Sequence, residues 1–189
     1  MGELTDDQAE QHDAAYRRGW KLAEPHMLLG SADASDRLRR GARRNLNKAI
    51  EVFHQALAIA PDNWATFWGL GKAYQRLGQA ADSLTAFQAA FRLNPTHPDV
   101  AREAAAAALA VGDGPNAIQY CLAAIEAAPD DASLIANLAL AYLVYGDVDR
   151  AASSAREAVR RNPDDESSRR NLGLIRDVQA GLRDAPKKM

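Results

Sequence analysis

The chain has 189 residues, 47% hydrophobic and 25% charged, with a formal net charge of -2. That composition suits one soluble folded unit and excludes a disordered tail, and the near-neutral balance gives no global positive field for nucleic acid and no acidic excess for a basic partner. The opening MGELTDDQAEQHD is polar and acidic, unlike a signal peptide, and no later run of about 18 apolar residues is available to span a bilayer.

Ala15, Gly19 and Leu22 place a first helix at about 6–24, which Pro25 is expected to end. Gly30-Ser31-Ala32-Asp33 reads as loop. Leu38, Ala42, Leu46, Ala49, Ile50, Phe53 and Leu57 then form one stripe, predicting a long helix over roughly 35–60 capped by Ser35 or Asp33. Residues 1–63 thus read as an elongated, divergent hairpin.

From Trp64 the pattern tightens. Phe67, Leu70, Gly71 and Tyr74 lie on one helical face, Leu77-Gly78-Gln79 breaks it, and Ser83, Leu84, Phe87, Ala90 and Phe91 resume it until Pro95. The arrangement returns at 98–131 (Ala101, Ala104, Ala105, Ala108, Gly112, Ala117, Cys121, Ala124, Pro129) and at 132–165 (Ile135, Leu138, Ala139, Tyr142, Gly146, Ala151, Ala155, Ala158, Pro163). Pro61, Pro95, Pro129 and Pro163 recur every 34 residues, each 12 after a small residue at 49, 83, 117 or 151. A fixed period of this length marks stacked units, each too small to bury its own apolar face. The middle unit is rich in alanine, so its helix is sound but its core is thin; it is expected to be the least stable, and Leu109→Ala to open it first. After Pro163, Asp165 can cap a last helix over 166–181 bearing Leu172, Gly173, Leu174 and Val178. The ending DAPKKM is expected to fray.

The units 64–97, 98–131 and 132–165 resemble the tetratricopeptide repeat, through Phe67-x2-Leu70-Gly71-x2-Tyr74, Ser83-x3-Phe87, Ala90, Pro95 and their counterparts one and two periods on. Upstream, Ala49, Phe53, Ala56 and Pro61 match only the second helix of such a unit. The resemblance implies an all-α fold, a right-handed α-solenoid of stacked antiparallel helix pairs, with the N-terminal hairpin 1–63 at one end and a capping helix within 166–189 at the other. It also implies that first helices line a concave groove. The ligand-facing positions carried over are Trp68, Lys72, Gln75 and Arg76; Asp99, Arg102, Glu103, Ala106 and Leu109; Ala136, Asn137, Leu140 and Leu143; and Arg170, Asn171 and Leu174. Asn137 and Asn171, 34 apart, resemble an asparagine ladder for peptide backbone. Trp68 reads either as a binding anchor or as packing on the preceding hairpin. The carboxylate clamp that some relatives use for chaperone tails is disfavoured, because Arg102, Ala106, Asn137, Ser167 and Asn171 lack most of its cations.

Little points to chemistry. His12, His26, His54 and His97 are scattered, the lone Cys121 forms no zinc site or internal disulfide, and neither metal nor cofactor is implied. Cys121 reads as a small buried residue; an unpaired thiol favours a reducing compartment, with the cytoplasm as default. Gly69-Leu70-Gly71-Lys72 lacks the spacing and the hydroxyl residue of a phosphate loop and falls inside a helix. No enzyme is expected. Arg37, Arg39, Arg40, Arg43, Arg44 and Lys48 cluster on the long helix, either as a solvated face or as a docking patch for an acidic partner that salt would screen. The expected function is a protein-binding scaffold or adaptor that takes a peptide in its groove. The alternatives are a self-assembling homo-oligomer and a secretion-type chaperone. RNA binding fits poorly, since the groove is not basic and offers one obvious aromatic.

Overall fold

The computed structural model describes residues 4–27 and 40–189, and every regular element among them is an α-helix. The chain divides into two compact units, one ending at Leu93 and one beginning at Asn94. The predicted loop at 30–33, the caps Ser35 and Asp33, and the first turn of the long helix lie outside the described residues.

The first unit holds α1 (Asp6–Met27), α2 (Arg40–Ile59), α3 (Trp64–Leu77) and α4 (Ala80–Leu93). α1 packs on α2 and α3 on α4, while α2 also packs against α3 and α1 reaches α3. Pro25 does not end α1; the helix runs on to Met27. A proline this close to the C-terminus deletes one backbone bond and strains one turn, which the packed remainder of the helix tolerates. Phe53 of α2 is fully buried, and its ring lies where side chains on α1 and α3 would otherwise stand. A Cβ on Gly19 would come within 2.5 Å of that ring and one on Gly69 within 2.8 Å. Two glycines therefore let three helices close on one phenylalanine, with Tyr16 and Trp20 rings around it at 6.4 and 5.8 Å. Gly71 does the same for Phe87, its absent Cβ standing 2.6 Å from the ring. The glycines of the Gly-Leu-Gly-Lys run are thus packing residues.

The second unit holds α5 (Pro98–Val111), α6 (Gly114–Ala127), α7 (Ala132–Tyr145), α8 (Val148–Arg161) and α9 (Glu166–Gln179). α5 pairs with α6 and α7 with α8; α7 also packs against α5, α6 and α9, and α8 against α9. The turns α5–α6 and α7–α8 close on left-handed glycines, Gly112 at φ 82° and Gly146 at φ 94°. In each, the glycine N–H and the next N–H return to carbonyls of the last helical turn, Leu109 and Ala108 in one, Leu143 and Tyr142 in the other. Asp113, Asp131, Asp147 and Asp165 cap the starts of α6 to α9 with their side chains. Alanine dominates the interior: α5 buries five alanines, with Val100 and Leu109 its larger contributions. Small side chains bring the helices close, and a Cβ on Gly114 would stand 2.9 Å from the Tyr145 backbone.

Two features of this unit bear on its stability. Burial pushes the Cys121 thiol up from 9.0 to about 12. A group whose folded pKa is raised holds its proton longer in the folded state, so its contribution is complete below about 9 and is lost as pH climbs toward 12. The stability difference between the unsubstituted chain and Cys121→Ala should therefore shrink above pH 9, by about 1.4 kcal/mol per pH unit, in paired urea titrations at about pH 8 and pH 10. The second feature is a correction. The ending expected to fray instead returns to α5, where the Met189 N–H donates to the Leu109 carbonyl at 2.9 Å.

Candidate functional site

Helices α7 and α9 stand one period apart and pack together, so residues 34 apart on them become neighbours. Asn137 on α7 and Asn171 on α9 both line one open cleft of about 550 Å³, at the N-terminal ends of these helices, with Asp130, Asp131, Arg161, Asp165 and Ser167.

Most polar groups there are already committed. Asp131 caps α7, accepting from the Ser133 N–H at 2.9 Å and its hydroxyl at 2.6 Å, and it accepts from the Arg102 guanidinium at 2.7 Å. The Ser133 hydroxyl above all, with the Ser133 N–H and Arg102, holds the Asp131 carboxyl below its ordinary range. Asp165 caps α9 through the Ser168 and Ser167 N–H groups at 2.9 and 3.2 Å, and the Ser168 hydroxyl first among these lowers its pKa. Arg161 donates to the Pro129 carbonyl at 2.7 Å and to Glu157 at 2.8 Å. By contrast, the amides of Asn137 and Asn171 and the carboxylate of Asp130 make no hydrogen bond with any described residue. Such a cleft has fixed walls and two part-exposed amides without a partner among the described residues, each offering a donor and an acceptor.

The other expected groove residues are placed less simply. Leu140 is half-buried on α7, and Arg170 is exposed on α9, donating to the Ser167 hydroxyl at 3.1 Å. Arg102 is not a free cation: it bridges Asp99 at 3.1 Å and Asp131. Leu109 and Leu143 are interior residues, 5% and 0% exposed, and Leu143 belongs to a core with Ala151, Ala152 and Ala155 of α8. The reason is angular. Leu143 follows Asn137 by six residues, about 600° of helix, which turns it roughly 120° off the amide's face; Leu109 stands in the same relation to Glu103.

In the first unit, Trp68 packs on Trp20 of α1, the rings tilted by 34° with centres 5.4 Å apart, and Lys72 lies 5.9 Å over the Trp68 ring. Arg76 donates to the His26 carbonyl at 2.7 Å. This stretch of α3 is therefore bound to α1, and Trp68 is a packing residue, the second of its two expected readings. Lys72, Gln75 and Arg76 border a shallow depression beside Met27. Sequence reasoning missed the part played by α1; Tyr16 and Trp20, one turn apart around Gly19, were the available signal.

On α2, Arg40, Arg43, Arg44 and Lys48 are exposed and line an open depression of about 450 Å³ with Asn47 and Glu51, without an ion pair to any described residue. Arg37 and Arg39 lie outside the described residues. Among the described residues no helix is long and apolar enough to cross a membrane, and no group of acidic, histidine or cysteine side chains gathers in a way that could hold a metal ion.

Comparison with known folds agrees with the repeat pattern. A MamA crystal structure superposes with a TM-score of 0.74 at 20% identity, covering 93% of this chain and 85% of that one. MamA from residue 41 to its end, from Desulfovibrio magneticus RS-1, does so with a TM-score of 0.68 at 20% identity over 95% and 88%. YrrB, described as a TPR protein with an unusual peptide-binding site, gives 0.65 at 16% identity over 90% and 87%. At such identities the likeness concerns the fold alone. No curated protein matches the chain by sequence. The tetratricopeptide repeat, as a family, matches residues 69–132 and 137–181, and a further TPR repeat matches 42–78. The chain is a member of the tetratricopeptide repeat family, and its helix pairs are those of an all-α helical solenoid.

Proposed function

We propose that this chain is a non-catalytic scaffold or adaptor that holds an extended segment of a partner protein against α7 and α9. The observation that carries the reading is the pair of unpartnered amides, Asn137 and Asn171, in one cleft. A peptide backbone offers an N–H and a carbonyl at each residue, and an asparagine amide can satisfy both whatever side chains the peptide bears. Leu140 and Leu174, half-buried, supply apolar contact beside them. The Asp130 carboxylate, free at the rim, favours a segment with a cation at that point. That YrrB is described as binding peptide supports the reading by analogy of fold.

The test is selection of binding peptides from a displayed random library against the intact chain, followed by titration of each selected peptide into Asn137→Ala and Asn171→Ala. Peptides that bind both variants as tightly as the parent refute the cleft as the recognition surface.

A second reading, self-assembly, is favoured by the exposed cationic face of α2 together with the free Asp130 on the same chain. Such pairing is salt-screened. Light scattering across protein concentration should then show oligomers that dissociate as salt is raised; a monomer at all concentrations removes this reading.

A further inference from the structure

We propose that the C-terminal end of α5 is a docking point for an extended, lysine-bearing segment, and that residues 186–189 are its built-in and displaceable occupant. Three equivalent glycines end first helices at 34-residue intervals, all with left-handed φ: Gly78 at 75°, Gly112 at 82° and Gly146 at 94°. A Cβ added at Gly78 or Gly146 would meet nothing within 4 Å. One added at Gly112 would collide with the carbonyl oxygen of Lys187 and touch the Lys188 side chain. Among the described residues, backbone thus lies directly against this one turn and against neither of the others.

The hydrogen bonding agrees. The Leu109 carbonyl, in the last turn of α5, accepts from the Gly112 N–H at 3.1 Å, as a helix end does on its own. It also accepts from the Met189 N–H at 2.9 Å, so that both of its lone pairs are used. Helix C-termini favour cations, and Lys187 and Lys188 are brought to this one with their side chains exposed. Only Pro186 of the segment is half-buried. The strap leaves the end of α9 and lands on α5, the alanine-rich helix, while α7 packs against both. It therefore ties the segment that follows α9, the last helix of the unit, to α5, the first.

The tie is weak by construction. One solvent-exposed backbone bond amounts to about a fivefold preference for the docked state. A tether of several residues holds the segment at an effective concentration of about millimolar, so an outside segment of the same chemistry can replace it at comparable concentration. This site is separate from the asparagine cleft, and neither proposal depends on the other.

The experiment uses the full chain, nitrogen-15 labelled, and follows the Met189 amide by NMR. In the unsubstituted chain that amide should exchange with solvent about fivefold more slowly than in a free peptide. Gly112→Ala should abolish the protection and move the Met189 signal to its free-peptide position. Gly146→Ala, which carries the same left-handed backbone strain, should leave both unchanged. Titrating an unlabelled, end-blocked peptide of residues 180–189 to about ten millimolar should move the unsubstituted chain's Met189 signal toward the free position. Equal effects of the two alanine substitutions, or an unmoved Met189 signal through the peptide titration, would overturn the proposal. The titration needs no substitution, so it decides the matter even if Gly112→Ala does not fold.

Discussion

Phe53→Ala should destabilise the first unit by about 3–5 kcal/mol, toward the upper end of that range. The ring is wholly buried, and truncating it opens a cavity between α1, α2 and α3. How much of the loss is recovered depends on how far the walls can collapse. Here two walls are Gly19 and Gly69, which have no side chains to swing inward, and the others are the rigid rings of Tyr16 and Trp20. Trp20 lies 5.8 Å from Phe53, so urea unfolding followed by tryptophan fluorescence reads this unit. Because the chain has two compact units, the transition is best fitted with a separate far-ultraviolet signal rather than assumed two-state. A loss below about 0.5 kcal/mol, the range of ordinary surface changes, would contradict the account of three helices closing on one ring.

The same geometry predicts coupling. Gly69→Ala alone forces a methyl group against the Phe53 ring and should cost about 1–3 kcal/mol. With Phe53→Leu already present, the added cost should fall, since the atom it meets has gone; additive losses would show that the glycine serves some other purpose.

The second large effect is on binding. Each asparagine amide that bonds a peptide backbone contributes about 1 kcal/mol net, so Asn137→Ala and Asn171→Ala should each weaken a selected peptide by roughly fivefold to tenfold. The double variant should lose between about thirty-fold and a hundredfold if the two amides act independently. Stability should move the other way. Neither amide has a described partner to lose, and alanine is the better helix former by several tenths of a kcal/mol. A double variant that binds less and melts slightly higher separates recognition from folding; one that binds less because it melts lower does not support the cleft.

Much of this was legible in the amino acids because a repeat states the same instruction several times. Gly112 and Gly146 as left-handed helix ends, and Asp165 as the cap of α9, follow from local chemistry that tertiary packing does not override. That Asn137 and Asn171 share a face follows from the 34-residue period alone, once helices one period apart lie side by side. The failures have a different origin. The positional rule carried over from the family puts Leu109 and Leu143 in the groove, whereas their angle around the helix turns them into the core. Trp68 keeps two readings in the sequence, and Arg76 falls in the groove by the same positional rule, because their partners, Trp20 and the His26 carbonyl, sit on α1, about 50 residues earlier in a hairpin that departs from the repeat pattern. The return of Met189 to Leu109 rests on a single backbone bond between segments 80 residues apart, and composition carries no trace of such a bond.

The most direct measurement follows the side-chain amide signals of Asn137 and Asn171 in a nitrogen-15 spectrum of the intact chain while a library-selected peptide is added. If the cleft between α7 and α9 grips peptide backbone, both signals shift together and saturate at one concentration. Should the peptide bind while both stay where they were, the recognition surface lies elsewhere on the chain.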